Sequence, residues 1–349
     1  MAGKEDYYRA VRKKWLFVLL CAVMIAVALI LALSIGMYEI GFADCYRILI
    51  EHITGNITDP YADDIVINTR LPIALFAIIV GAVLALGGAV MQTMLRNPLA
   101  DPYTMGVSSG ALLGASIAIV LSSTLPLFNE QWVRIVMAFG FSLIPAMVIL
   151  LFSFKRRVTS TKIILIGIAM MYIFSAIVQL IMITASEETL AEIYSWRVGT
   201  LALTTWETIP IPLAISIVCG AVLMFHYRRI NVMMAGTKSA HSMGVDPERT
   251  ILVEITIVSL MTAAVVCFTG TIGFVGLVGP HIARLFVGSD TKHLLPAAAV
   301  FGGLFLLLAN CLARVSGEYG LPVGVISAII GCPLFIFILI RMRRKSAWR

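Results

Sequence analysis

Ten stretches of this 349-residue chain are strongly apolar, and short polar segments separate them. They run over residues 15–38, 71–94, 104–127, 132–152, 162–184, 208–226, 251–272, 273–288, 294–313 and 322–341. Most are long enough for a helix of about 20 residues to cross a hydrocarbon layer. The pattern predicts an all-α integral membrane protein, a single transmembrane domain over 1–349 with ten transmembrane helices. The weakest stretch is 273–288, GFVGLVGPHIARLFVG, which is short and holds Pro280, His281 and Arg284. Parity argues for counting it. The opening YYRAVRKKW and the tail RMRRKSAWR are both basic, so both termini are expected on the cytoplasmic side, as ten crossings allow and nine do not. The first run is long enough to span and lacks a small-residue cleavage pattern, so it reads as an uncleaved helix.

Composition supports this reading. Hydrophobic residues make up 60% of the chain, mean hydropathy is +0.98, and only 13% of residues are charged, against about 25% in an ordinary soluble domain. The net charge of +7 is distributed as topology rather than as a nucleic-acid footprint. With ten crossings, 21 of the 26 Lys and Arg fall in inner segments, and only Arg47, Arg70, Arg134, Arg197 and Arg314 fall in outer ones. Anionic lipid is the neighbour this predicts. Two outer segments are long: 39–70, which carries Asp44, Glu51, Asp59, Asp63 and Asp64, and 185–207, whose Trp196 and Trp206 suit a short helix at the bilayer interface.

The chemistry of an enzyme is missing. AGTKSA at 235–240 lacks the first glycine of a phosphate loop and the glycine before its lysine. The five histidines form no HExxH pair and the six cysteines form no CxxC pair, so no metal or haem centre is expected. Acidic residues are nearly absent from the apolar runs; Glu254 stands at the start of one. Proton-coupled carriers commonly hold such a residue deep in a helix, so energy is expected to come from a partner. A stand-alone secondary transporter is the alternative reading, and a membrane scaffold a third.

Two polar segments on the basic side stand out. LRNPLADPYTMGVSSG at 95–110 places two prolines, two glycines and an Arg-Asn pair between apolar runs. YRRINVMMAGTKSAHSMGVDPERT at 227–250 reads as short helical pieces broken by Gly236 and Gly244, with Asp246 before proline as an N-cap.

These segments carry a family resemblance. RLPIALFAIIVGAVLALGGAVMQTMLRNPLADPYTMGVSSGALLGA at 70–115, GTIGFVGLVGPHIARLFVGSDTKHLLPAAAVFGG at 270–303 and LPVGVISAIIGCPLFIFIL at 321–339 resemble the permeases of binding-protein-dependent, ATP-driven importers for iron-siderophore complexes, haem and cobalamin. The resemblance implies a permease subunit in a prokaryotic inner or plasma membrane. It would work with a second copy of itself, two cytoplasmic ATPase subunits that hold ATP and Mg, and an external substrate-binding protein; the chain itself would bind no cofactor. It also implies that 230–250 docks on the ATPase, through Gly236, Thr237, Lys238 and Gly244 here. Arg96, Asn97, Pro98, Asp101 and Pro102 would form a structural turn on the same side. Arg70 and Arg314 match the family's external arginines and would meet the binding protein. The usual RLPR reads RLPI, with Ile73 in place of an arginine, and Asn310 and Gly320 replace acids near Arg314. The gate is expected in the fifth apolar run and 185–198.

Overall fold

A computed structural model describes residues 2–36, 38, 40–122, 125–155, 159–316 and 320–343. Arg156, Arg157, Arg344, Lys345 and Arg349, counted above with the basic segments, lie outside the described residues. Among the described residues the regular structure is entirely helical. In chain order the helices are α1 (Ala2–Ser34), α2 (Phe42–Thr54), α3 (Pro60–Asp64), α4 (Leu71–Leu95), α5 (Val107–Ser122), α6 (Gln131–Lys155), α7 (Ser160–Thr184) and α8 (Glu187–Val198). They continue with α9 (Pro210–Phe225), α10 (Tyr227–Met234), α11 (Thr237–Ser242), α12 (Pro247–Thr269), α13 (Val275–Val287), α14 (Thr291–Val315) and α15 (Val323–Arg343).

The expected count of ten transmembrane helices is corrected. Among the described residues seven helices are long and apolar enough to cross a membrane, or eight if α9 and α10, bent by 57° at His226, form one broken span. The other two apolar helices, α5 with 16 residues and α13 with 13, rise only about 24 Å and 20 Å at 1.5 Å per residue, short of a hydrocarbon core of about 30 Å. The run at 104–127 looked longer because its flanks are apolar. Its first residues form a 3₁₀ turn, Tyr103–Met105, that ends at Gly106 with φ 85°, so the helix begins only at Val107. The parity argument that put both termini on the cytoplasmic side depended on ten crossings and falls with them.

Local chemistry fixes the helix starts. Asp59 accepts hydrogen bonds from the amides of Tyr61 and Ala62, with Pro60 at the first helical position of α3. Asp246 does the same for the amides of Glu248 and Arg249 at the start of α12, again with a proline, Pro247, in the first turn. A π-helical stretch, Ile65–Arg70, joins α3 to α4 without a break, so Pro60–Leu95 is one 36-residue helix.

The core is built around α4, which packs against α13, α14 and α12. Two glycine contacts set its density. A methyl group added at Gly81 would overlap the Gly302 carbonyl of α14, and one at Gly88 would overlap the Gly276 carbonyl of α13. Without lipid-excluding hydrophobic drive between helices, such backbone approach is the main source of association. At these two positions glycine serves helix packing.

Candidate functional site

The basic ends of α4, α9, α12 and α14 form one face, and the two polar segments meet there. Arg96 ends α4 in the left-handed region, φ 50°. Asn97 Oδ1 then accepts the amide of Leu99 at 3.0 Å. Asp101 closes the turn: its Oδ1 accepts the Thr104 amide at 2.8 Å, and the Thr104 hydroxyl donates to the Asp101 carbonyl at 2.7 Å. The Tyr103 hydroxyl accepts the Ile272 amide at 3.0 Å, tying the turn to the link between α12 and α13. Burial pushes the Asp101 carboxyl up to about 6, against the lowering effect of the Thr104 and Tyr103 hydrogen bonds. Pro102 packs beside Gly87 and Gly276, so the turn rests directly on the core.

The 230–250 segment folds as α10 and α11, separated by Gly236 at φ 95° and followed by Gly244 at φ 80°. A side chain at Gly236 would meet the Arg96 guanidinium at 3.0 Å; around Gly244 there is open space, so only its backbone angle restricts that position. Thus Arg96 and Gly236, assigned to separate motifs, are neighbours. Thr237 and Lys238 line an open cleft of about 830 Å³ between α11, the start of α7 and the start of α12, with His241 and Glu248.

Side-chain bonds fasten this platform to the membrane helices. Asn231 of α10 donates to Asp290 at 2.7 Å and accepts the Thr291 amide at 2.8 Å, at the start of α14. The hydrogen bonds from Asn231, the Lys292 amide and His293 hold the Asp290 carboxyl below its ordinary range, although desolvation, the largest single effect, pushes it up. At the α9–α10 corner, His226 Nδ1 lies 2.8 Å from Glu254 Oε1 of α12. None of these bolts was singled out in the sequence. The one hint was Glu254, an acid at the edge of an apolar run.

Arg70 and Arg314 stand at the opposite end of the molecule and converge on the last turn of α1. Arg70 is only 4% exposed. Its Nη1 donates to the carbonyls of Leu33 at 2.6 Å and Ser34 at 2.9 Å, and its Nη2 to the Tyr38 carbonyl at 2.5 Å. Arg314 Nη1 donates to the Ala32 carbonyl at 3.2 Å. Both line a cavity of about 590 Å³ at that end, together with Ile73, Asn310 and Gly320. The Arg314 Nη2 and the Asn310 amide nitrogen are buried without a hydrogen-bond partner among the described residues. Within this chain, Arg70 is held by backbone carbonyls.

The segment 185–207 contains the helix α8, and Arg134 of α6 pairs with its Glu192 at 2.5 Å. The Trp206 indole donates to the Ile67 carbonyl at 3.0 Å, fastening the far end of that segment to the long α3–α4 helix.

The sequence profile of the FecCD transport family matches residues 24–341. The chain is 39% identical over 282 residues to the cobalamin import system permease protein BtuC of Halobacterium salinarum, covering 80% of this chain and 74% of that one. It is 33% identical over 282 residues to the hemin transport system permease protein HmuU of Yersinia pestis, covering 80% and 84% respectively. Its fold is similar to a solved structure described as an inward-facing conformation of a metal-chelate type ABC transporter, with a TM-score of 0.81 and 29% identity over 93% of this chain and 98% of that one. The chain belongs to the FecCD transport family.

Proposed function

We propose that the chain is the permease subunit of an ABC-type importer that moves an iron-siderophore, haem or corrinoid complex handed over by a binding protein. It works as a pair of permeases in a prokaryotic inner membrane. Family membership over residues 24–341 is the observation that carries this reading. ATP hydrolysis belongs to separate subunits, whose bound ATP and Mg supply the energy.

The platform of α10 and α11 is the surface we assign to the ATPase. It is basic, it is bent by two positive-φ glycines, and it is bolted to α12 and α14, so force applied to it reaches the core. Arg96 abuts it at Gly236 from the end of α4, and the turn through Asn97, Pro98, Asp101 and Pro102 that follows rests on the core beside Gly87 and Gly276. At the opposite end, Arg70 and Arg314 shape the binding-protein face by fixing the end of α1.

The test is reconstitution in liposomes with the cognate ATPase and a substrate-loaded binding protein. Uptake is expected only when ATP and both partners are present. Uptake sustained by an ion gradient without the ATPase would replace this reading with that of a secondary transporter.

A further inference from the structure

We infer that α2 is an interfacial helix, and that its exposed apolar stripe sits at the boundary between lipid headgroups and acyl chains at the Arg70 end of the molecule. This placement needs only a chain that spans a membrane, so it stands or falls apart from the importer role. Phe42, Tyr46, Ile50 and Ile53 are each more than half exposed, Ile53 at 84%. At 3.6 residues per turn these four fall within an arc of about 80°. Cys45 and Ile48, on a second side of the helix, are buried. Asp44, Arg47 and Glu51 fill the third side, where Arg47 pairs with Asp44 at 3.1 Å and with Glu51 at 3.5 Å.

The packing of α2 sets its depth. Cys45 and Ile48 share an apolar cluster with Leu33, in the last turn of α1, and with Val66 and Ile67 near the start of the long α3–α4 helix. The apolar part of α1 begins after Lys13 and Lys14. From residue 15 to residue 34 it rises about 30 Å, the thickness of a hydrocarbon core. Leu33 therefore lies where the hydrocarbon ends, and α2 lies beside it. The neighbouring α1 itself faces lipid, since Leu20, Val23, Val27 and Leu31 form an exposed apolar stripe along it.

The three faces together name the occupant. A helix docked on protein by one side, apolar on the next and charged on the third can lie flat at a bilayer surface, its apolar face sunk about 5–10 Å into the headgroup–acyl boundary. Tyr46 suits that level with an apolar ring and a polar tip. The Asp44, Arg47 and Glu51 side chains keep their charges in water on the other side. They present no run of cations, so the attraction is to the apolar boundary itself and not to an anionic headgroup. His52 Nδ1 and the Asp63 carboxylate, 3.0 Å apart, tie α2 to α3, so lipid contact at α2 steadies the start of the Pro60–Leu95 helix.

The experiment uses the full-length permease in bilayers of zwitterionic phosphatidylcholine. A Cys332→Ala background removes the one cysteine that is not buried. An environment-sensitive fluorophore is attached at Tyr46→Cys, Ile53→Cys or Arg47→Cys. Two quenchers are compared, a lipid carrying a nitroxide near its headgroup and aqueous iodide. The labels at Tyr46 and Ile53 are expected to be quenched by the nitroxide lipid about twofold or more above the label at Arg47, which iodide reaches instead. Equal iodide access at all three positions would overturn the placement. So would protection of Tyr46 and Ile53 from both quenchers, as a second copy of the chain would give, and shielding that arises only when a substrate-loaded binding protein is added. Thermal midpoints that match the wild type show that the labelled variants are folded, and Phe42→Cys with Asp44→Cys repeats the comparison on the same two faces.

Discussion

At the scale of single residues, the outer arginines matter first for what they hold together. Arg70 satisfies three carbonyls at and beyond the last turn of α1, where helix ends leave acceptors unpaired and a cation complements the dipole. Removing it leaves buried carbonyls unpaired. Arg70→Ala is expected to destabilise the protein by about 2–3 kcal/mol, read as a lower thermal midpoint in detergent. Arg314→Ala, which loses one carbonyl bond, should cost less. An unchanged midpoint for Arg70→Ala would show that α1 is held elsewhere. Asp101 gives a pH signature. Burial raises its carboxyl to about 6, so the folded state holds that proton more tightly than the unfolded chain does. Stability from this group is therefore gained as pH falls from about 6 to about 4, and its cost is fully present above about 6. Asp101→Asn keeps an acceptor for the Thr104 amide and removes the titration. The difference in thermal midpoint between variant and wild type should favour the variant at pH 7.5 and shrink toward pH 4. A constant difference across that range would count against it.

At the scale of elements, the coupling platform depends on two positive-φ glycines that differ in surroundings. Gly244 has open space around it, so a side chain there meets only backbone strain, about 1–2 kcal/mol for a left-handed residue. Gly236, at φ 95° and ψ 162°, lies in a region open essentially only to glycine and also has the Arg96 guanidinium beside it. Gly244→Val is expected to weaken ATPase docking and uptake together while the membrane helices stay folded, and Gly236→Val to do so more severely. Pull-down of the ATPase alongside uptake checks both; normal docking in the two variants would remove the platform from the coupling role. Much of this element was legible in the sequence. Gly236, Gly244 and the Asp246–Pro247 cap mark breaks and starts because each needs a particular backbone geometry. The bolts were not legible, because the partners of Asn231 and Glu254 lie 59 and 28 residues away. Nor were the partners of Arg70, since a backbone carbonyl leaves no residue type to read.

At the scale of the whole molecule, hydropathy revealed a helical membrane protein and its family motifs, but it overcounted the crossings. A window of apolar residues does not distinguish a full span from a helix that starts late. Gly106 delays the start of α5 to Val107, and Phe274 and Gly288, both at positive φ, bound α13 at 13 residues. α5 is buried mainly against α6 and α7, and α13 against α14 and α4, so neither short helix stands alone in the lipid. The helix from Pro60 to Leu95 is the opposite case. Its 36 residues extend about 54 Å, well beyond the hydrocarbon thickness. Arg70 and the carbonyl of Ile67 lie near one end, and Arg96, beside Gly236, follows the other. A connecting rod of this kind carries displacement without needing a chain of rearranging side chains. In the assembly proposed above, a small tilt imposed at the end near Arg70 would appear as a sideways push at the other end, beside Gly236. The π-helical turn at Ile65–Arg70 lies within that rod, so loosening or stiffening it would change how much of a displacement at one end reaches the other.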